Sequence, residues 1–223
     1  MGVIPVFASK LSLIERCFPV MGVILKLLGQ KITLPELFPR YRGCSFIRGL
    51  KIMAESLKTQ EPIAVANFVI NLANENKLSV TNFQLQKILF FLQGFTLSKY
   101  QVGIVNGSFS KWQYGPAQKN VYRTFRDNGA SPITNEYSDA YFDKLGQFRT
   151  QTPEMKSIDN NVRDVLKSLV LKLLRIPVWK LVDLIHKDPS WCNYKDEIME
   201  YQASDYRNEE IESCFVNNEA ELK

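Results

Sequence analysis

One histidine, His186, is all that this 223-residue chain carries. That removes multi-histidine metal centres, and it allows a Ser-His or Cys-His pair only if everything converges on the one ring. The four cysteines, Cys17, Cys44, Cys192 and Cys214, are far apart and form no C-x-x-C. Neither a zinc knuckle nor a disulfide framework is suggested, and they read as reduced thiols of a cytoplasmic protein. The sequence also lacks a nucleophile elbow and a phosphate loop. These absences argue against an enzyme, and no metal or cofactor is expected.

Long apolar runs are missing too. The stretch "CFPVMGVIL" contains Pro19 and Gly22 and is closed by Lys26, short of the roughly 20 residues a membrane-spanning helix needs. No A-x-A-like cleavage site follows it, so a secretory signal is not read here. The formal charge of +5 sits entirely in residues 1–50, where seven Lys and Arg face Glu15 and Glu36, and the rest is neutral. Bulk charge therefore gives the main body no reason to bind nucleic acid. With 45% apolar and 23% charged residues, disorder is not the default either.

Two readings of the N-terminal extension, residues 1–57, stay open. It is a basic amphipathic element that packs on the domain or touches a membrane surface weakly, or it lies upstream of a true start at Met53. Its apolar residues keep no clean period. A single domain is expected over 58–220.

In that domain, Pro62 suits the first turn of a helix running to about Glu75. Thr81 and Gln84 form a capping box for a second helix, "NFQLQKILFFLQGFTLSKY", which is apolar nearly all round and so belongs in the middle of the fold. Asn106-Gly107 is a preferred hairpin turn, flanked by "VGIV" and "SFSKW". Pro116 is expected to open a helix with Val121, Tyr122 and Phe125 inward and Gly129 past its end. Residues 131–157 read as a long loop. Asp159 caps a helix with an apolar stripe ended by Pro177. Pro177 starts another, and a last helix spans about Ser204 to Asn217. The expected class is mainly α: about six helices with a small β-hairpin.

Three stretches together carry a resemblance. They contain Thr81, Asn82, Leu85, Gln86, Lys87, Leu89, Phe91, Gln93, Gly94 and Leu97; then Trp112, Tyr114, Gly115, Pro116, Val121, Tyr122 and Phe125; then Leu181, His186 and Trp191. Their order and spacing resemble the Panacea domain, or SocA-type antitoxin domain, of bacterial and phage toxin-antitoxin systems. The chain departs from that pattern at Ala117-Gln118, where the family often has Pro-Val, and at Ile185, where Thr or Ser often precedes the histidine.

The resemblance implies an antitoxin that neutralises a cognate toxin protein, encoded next door, by direct binding. A proteolytic adaptor that presents the toxin to a protease is the alternative, and a small hydrolase or transferase on His186 with Asp183 or Asp188 is a weaker one. Tyr114, Lys119, Arg123 and Arg126 are the expected partner-binding residues, because aromatic and Arg side chains dominate interface hot spots. Thr81, Gln86, Lys87, Gln93, Trp112, Gly115, Pro116, Tyr122, His186 and Trp191 are expected to hold the fold.

Overall fold

The computed structural model describes residues 57–222. The proposed Met53 start, the basic segment and its membrane contact lie outside the described residues. Among the described residues are eight α-helices and two antiparallel strand pairs, so the domain is mainly α.

Helix α1 spans Pro62–Glu75, with proline in its first turn and Val65, Ala66, Val69 and Ile70 fully buried. Helix α2 spans Asn82–Tyr100. Its Thr81 cap accepts from the Gln84 N–H at 3.2 Å. The return half of the box does not form: Gln84 Nε2 donates to the Leu174 and Ile176 carbonyls instead. An all-round apolar helix must be covered all round. Later elements do this, and Phe90 and Phe91 lie fully buried inside the core.

The chain leaving α2 is held by its own side chains. Thr96 Oγ1 accepts from the Ile104 N–H at 3.1 Å and Gln93 Oε1 from the Val105 N–H at 2.8 Å. Gln60 exchanges backbone bonds with Ile104 and Asn106 at 2.7 and 2.8 Å. This corrects the expected hairpin. A type I′ turn needs positive φ at both central residues, but here only Gly107 has it, at 92°. The backbone before Asn106 is already paired with Gln60, so the chain turns away rather than back.

The hairpin forms one step later. Strands β1, Ser110–Trp112, and β2, Gly115–Ala117, pair antiparallel, with Trp112 opposite Gly115 across Gln113-Tyr114. Gly115 takes φ 91°, which favours glycine. Pro116 therefore lies in a strand and does not open a helix. It faces Lys111, next to the turn-closing pair, where the ladder's alternation asks for no N–H. Helix α3, Lys119–Phe125, is started by Gln118, whose side chain accepts from the Val121 N–H at 2.9 Å.

Residues 131–157 are not all loop. Strands β3, Asp139–Phe142, and β4, Phe148–Gln151, form an exposed antiparallel hairpin. The buried Asn67 on α1 clamps its base, donating to the Tyr137 and Pro153 carbonyls and accepting from the Tyr137 N–H. Helix α4, Asn160–Arg175, is capped by Asp159, which accepts from the Asn161 N–H at 2.9 Å. Helix α5, Val178–Lys187, follows Pro177.

The short α6, Pro189–Cys192, and α7, Lys195–Met199, lead to α8, Asn208–Asn218. The last helix starts later than its sequence pattern suggests, because the Tyr206 N–H goes to the Phe109 carbonyl at 2.7 Å and the Arg207 N–H to Glu210 at 2.8 Å. Helix α8 packs along α2 at Gly94, where an added Cβ would stand 2.5 Å from Phe215 Cβ. Glycine is what allows this approach.

Candidate functional site

The three motif stretches meet at the β1–β2 ribbon, and two sets of side chains lie there. The first set is a buried polar frame. Gln86 donates to Asn82 Oδ1 and accepts from the Gln118 N–H, both at 2.9 Å. Lys87, 2% exposed, donates to the Pro116 carbonyl at 3.1 Å and lies 4.9 Å from the centre of the Phe83 ring. Lys111, also buried, pairs with Glu210 at 3.1 Å and sits over the rings of Tyr194 and Tyr206.

The two lysines differ in what compensates them. Lys111 has a carboxylate; Lys87 has none among the described residues. Burial disfavours the charged form, and it lowers the Lys87 ammonium to about 7. Burial opposes ionisation of Glu210 as well, yet the Arg207 N–H and Lys111 hold its carboxyl below the ordinary range.

The second set faces outward. Tyr114 is 55% and Trp179 59% exposed. Both meet the half-buried Phe83 edge-on or tilted, at 6.3 and 5.2 Å between ring centres. Trp112 and Tyr122 meet edge-on at 4.8 Å. Behind these rings is an open cavity of about 760 Å³, with Lys87 and Gln86 in its wall beside Phe83, Trp112, Tyr114 and Tyr122. The polar tips of such side chains suit a surface that is alternately dry and wet.

His186 stacks on Trp191 with ring centres 3.8 Å apart and 19° between planes. Its Nε2 is buried and has no hydrogen-bond partner among the described residues. Burial, then the nearby Lys87 cation, pushes the imidazole below its ordinary value, against a smaller pull from Asp183. The ring is therefore neutral at pH 7. Asp188, the other carboxylate considered for a His186 centre, accepts from the Ser190 N–H and Asn217 Nδ2, both at 2.9 Å, and so caps α6. Burial pushes the Cys214 thiol up to about 12, which makes it a poor nucleophile.

Thr81 caps α2, Gln86 and Lys87 bind the ribbon, Gln93 fixes Val105, and the Trp112 carbonyl accepts from Trp191 Nε1 at 3.0 Å. Tyr122 departs from the inward placement that its helical spacing predicts: it is 39% exposed and forms part of the outer aromatic face. Of the four cation and aromatic contacts expected for a partner, Tyr114, Lys119 and Arg126 line the cavity, while Arg123 is exposed on α3 away from it. Lys119 lies 3.8 Å from Asp205, and Arg126 is 3.3 Å from Asp127. Sequence reasoning misses Phe83 and Trp179. Trp179 is legible as a large aromatic off the Leu181, Val182, Ile185 stripe of α5.

Residues 85–192 match the family described as "Antitoxin SocA-like, Panacea domain". The match takes in all three motif stretches except Thr81 and Asn82, and the resemblance read from the motifs holds. The chain is also 39% identical over 72 residues to a protein of Caulobacter vibrioides (strain NA1000 / CB15N) named "Antitoxin SocA"; the alignment covers 32% of this chain and 38% of that protein. No solved structure matches. Among the described residues, no helix is long and apolar enough to cross a membrane.

Proposed function

We propose that this protein is an antitoxin that neutralises a cognate toxin protein by binding it directly, without enzymatic action, and that the ribbon face is the contact. One observation carries the reading: the motifs that match an antitoxin family build a face on which Tyr114 and Trp179 stand exposed beside Phe83. Large aromatic rings left more than half in water are the usual anchors of a protein interface. Lys119 and Arg126 lie at its rim and Arg123 on the exposed surface of α3 beyond it, where charges steer association more than they hold the complex.

The toxin is encoded beside this gene and presents an acidic surface. The protease-adaptor alternative needs a second docking surface, and no particular observation favours it.

The experiment is rescue of growth in cells that express the neighbouring toxin. The wild-type chain restores growth. Tyr114→Ala with Trp179→Ala, both exposed and so tolerated by the fold, loses rescue at unchanged protein level. Full rescue by that folded double variant moves the contact elsewhere, first to the β3–β4 hairpin with its exposed Phe142 and Phe148. A wild-type chain that rescues from no toxin overturns the antitoxin reading.

A further inference from the structure

Charge in the cavity behind the aromatic face is unbalanced at one point. Lys111 is paired with Glu210, Lys119 with Asp205 and Arg126 with Asp127. Asp205, the carboxylate in the cavity wall, is further bound by the hydroxyls of Ser108 and Ser110 at 2.6 and 2.5 Å. Lys87 alone among the lining cations has no carboxylate among the described residues. Its ammonium carries three donors, and one goes to the Pro116 carbonyl.

Lys87 is 2% exposed, so a ligand reaches its ammonium only by displacing part of the wall between it and the cavity. Lys87 is part of the lining, and the bare Cα of Gly115 lies beside it: a Cβ there would stand 3.3 Å from Lys87 Nζ. A side chain at position 115 would crowd the place where a ligand atom approaches. Beside the Pro116 carbonyl, the Phe83 ring stands 4.9 Å from the ammonium, and Ile185 packs against the same Gly115. A buried, uncompensated cation in such surroundings is costly to keep charged, and an incoming anion relieves that cost.

We infer that the cavity receives an acidic side chain of a bound protein segment, whose carboxylate pairs with Lys87 while its apolar neighbours pack on Phe83 and Tyr114. This rests on the antitoxin reading for the identity of the partner, but the site itself is a property of this chain. The other charged groups to weigh are His186 on α5, whose imidazole is lowered partly by the Lys87 cation, and, elsewhere in the cavity lining, Lys111, Lys119, Arg126 and Asp205, each of them paired. None of them supplies a free negative charge. With the ammonium lowered to about 7, capture of a carboxylate draws it back up, so binding takes up about half a proton at pH 7.

The test uses the purified full chain and two small probes: N-acetyl-glutamic acid α-amide, with a free side-chain carboxylate, and its neutral glutamine counterpart. The Trp112 indole N–H in the cavity wall reports binding by NMR. The expected result is a saturable shift at millimolar glutamate probe, roughly tenfold weaker binding of the glutamine probe at pH 7, and a glutamate affinity that falls by roughly tenfold in all between pH 7 and 9, to that of the glutamine probe. Lys87→Met makes the two probes equal. Equal binding of both probes to the wild-type chain at pH 7, no shift at about 100 mM, or a glutamate affinity flat from pH 7 to 9 overturns the inference. The pH series needs no variant, so a Lys87→Met chain that fails to fold leaves the test intact. Failure here with rescue still observed in cells sinks this site and leaves the antitoxin reading standing.

Discussion

The Trp191 indole N–H donates to the Trp112 carbonyl at 3.0 Å across 79 residues of sequence. A second bond, from the Gln118 N–H to Gln86 Oε1 at 2.9 Å, joins the ribbon to α2. These two contacts turn three separated motifs into one frame, with the Trp191 and Gln86 side chains each holding a backbone group of the ribbon segment. Their task is to hold the ribbon on α2, which in turn aims Tyr114 outward.

Trp191→Phe keeps an aromatic ring on His186 but removes the indole donor, leaving the Trp112 carbonyl without that bond. Loss of one such buried bond costs about 1–2 kcal/mol. Urea denaturation is expected to show this loss. Unchanged stability would mean that the frame is held by packing alone.

Gly94→Ala is expected to cost more than a typical surface change, about 1–3 kcal/mol, because the new methyl meets both Phe215 Cβ and the Ile211 carbonyl, 2.9 Å away. A Gly94→Ala chain as stable as the wild type would show that α8 can shift off α2 freely.

Much of the fold can be read from sequence, and the misses have physical causes. Helix α2 is legible because an apolar residue on every face requires burial on every side, and Asp159, Pro62 and Pro177 mark helix starts by chemistry that does not depend on the rest of the fold. The hairpin is misplaced in sequence because Asn106-Gly107 is a strong local signal, yet Gln60, distant in sequence, claims the backbone beside it. Helical spacing puts Tyr122 inward, but α3 is one short helix whose position is set by Gln118 and the ribbon. The cavity is not legible at all, since it depends on how β1–β2, α2 and the α7–α8 region come together.

His186 titrates alone, as the one histidine in the chain. Its folded value lies below the ordinary 6.5, so the unfolded chain binds the proton more readily. The stability it contributes is present above pH 6.5 and is lost as pH falls through the folded value. NMR titration of the ring is expected to give a midpoint below 6.5, and His186→Gln to flatten acid destabilisation in that window. A midpoint at or above 6.5 would contradict the buried placement.

Lys87 acts at higher pH. Its folded value of about 7 lies below the ordinary 10.5, so the unfolded chain holds the proton across that interval and stability rises with pH within it. Between pH 7 and 9 the gain is up to ~2 kcal/mol, to be read from urea midpoints. Lys87→Met is expected to remove the rise. A wild-type chain that does not stabilise in this window would show Lys87 solvated and charged.

Rim charges are expected to set the rate and salt dependence of association. Arg123→Glu with Arg126→Glu should fold normally, since both side chains are exposed, and should slow binding of the toxin roughly tenfold or more at low salt, with the difference shrinking as salt rises. Stopped-flow association kinetics checks this. Rates that match the wild type at all salt concentrations would take these arginines out of the contact.

The central claim is direct neutralisation by binding, and it is tested most directly by mixing the purified chain with the purified product of the neighbouring toxin gene and measuring complex mass, affinity and residual toxin activity together. The account predicts a complex of fixed stoichiometry, loss of toxin activity in proportion to complex formed, and loss of both with Tyr114→Ala and Trp179→Ala. A toxin whose activity is unaffected by an equimolar folded chain, or that is inactivated without any complex forming, would contradict it.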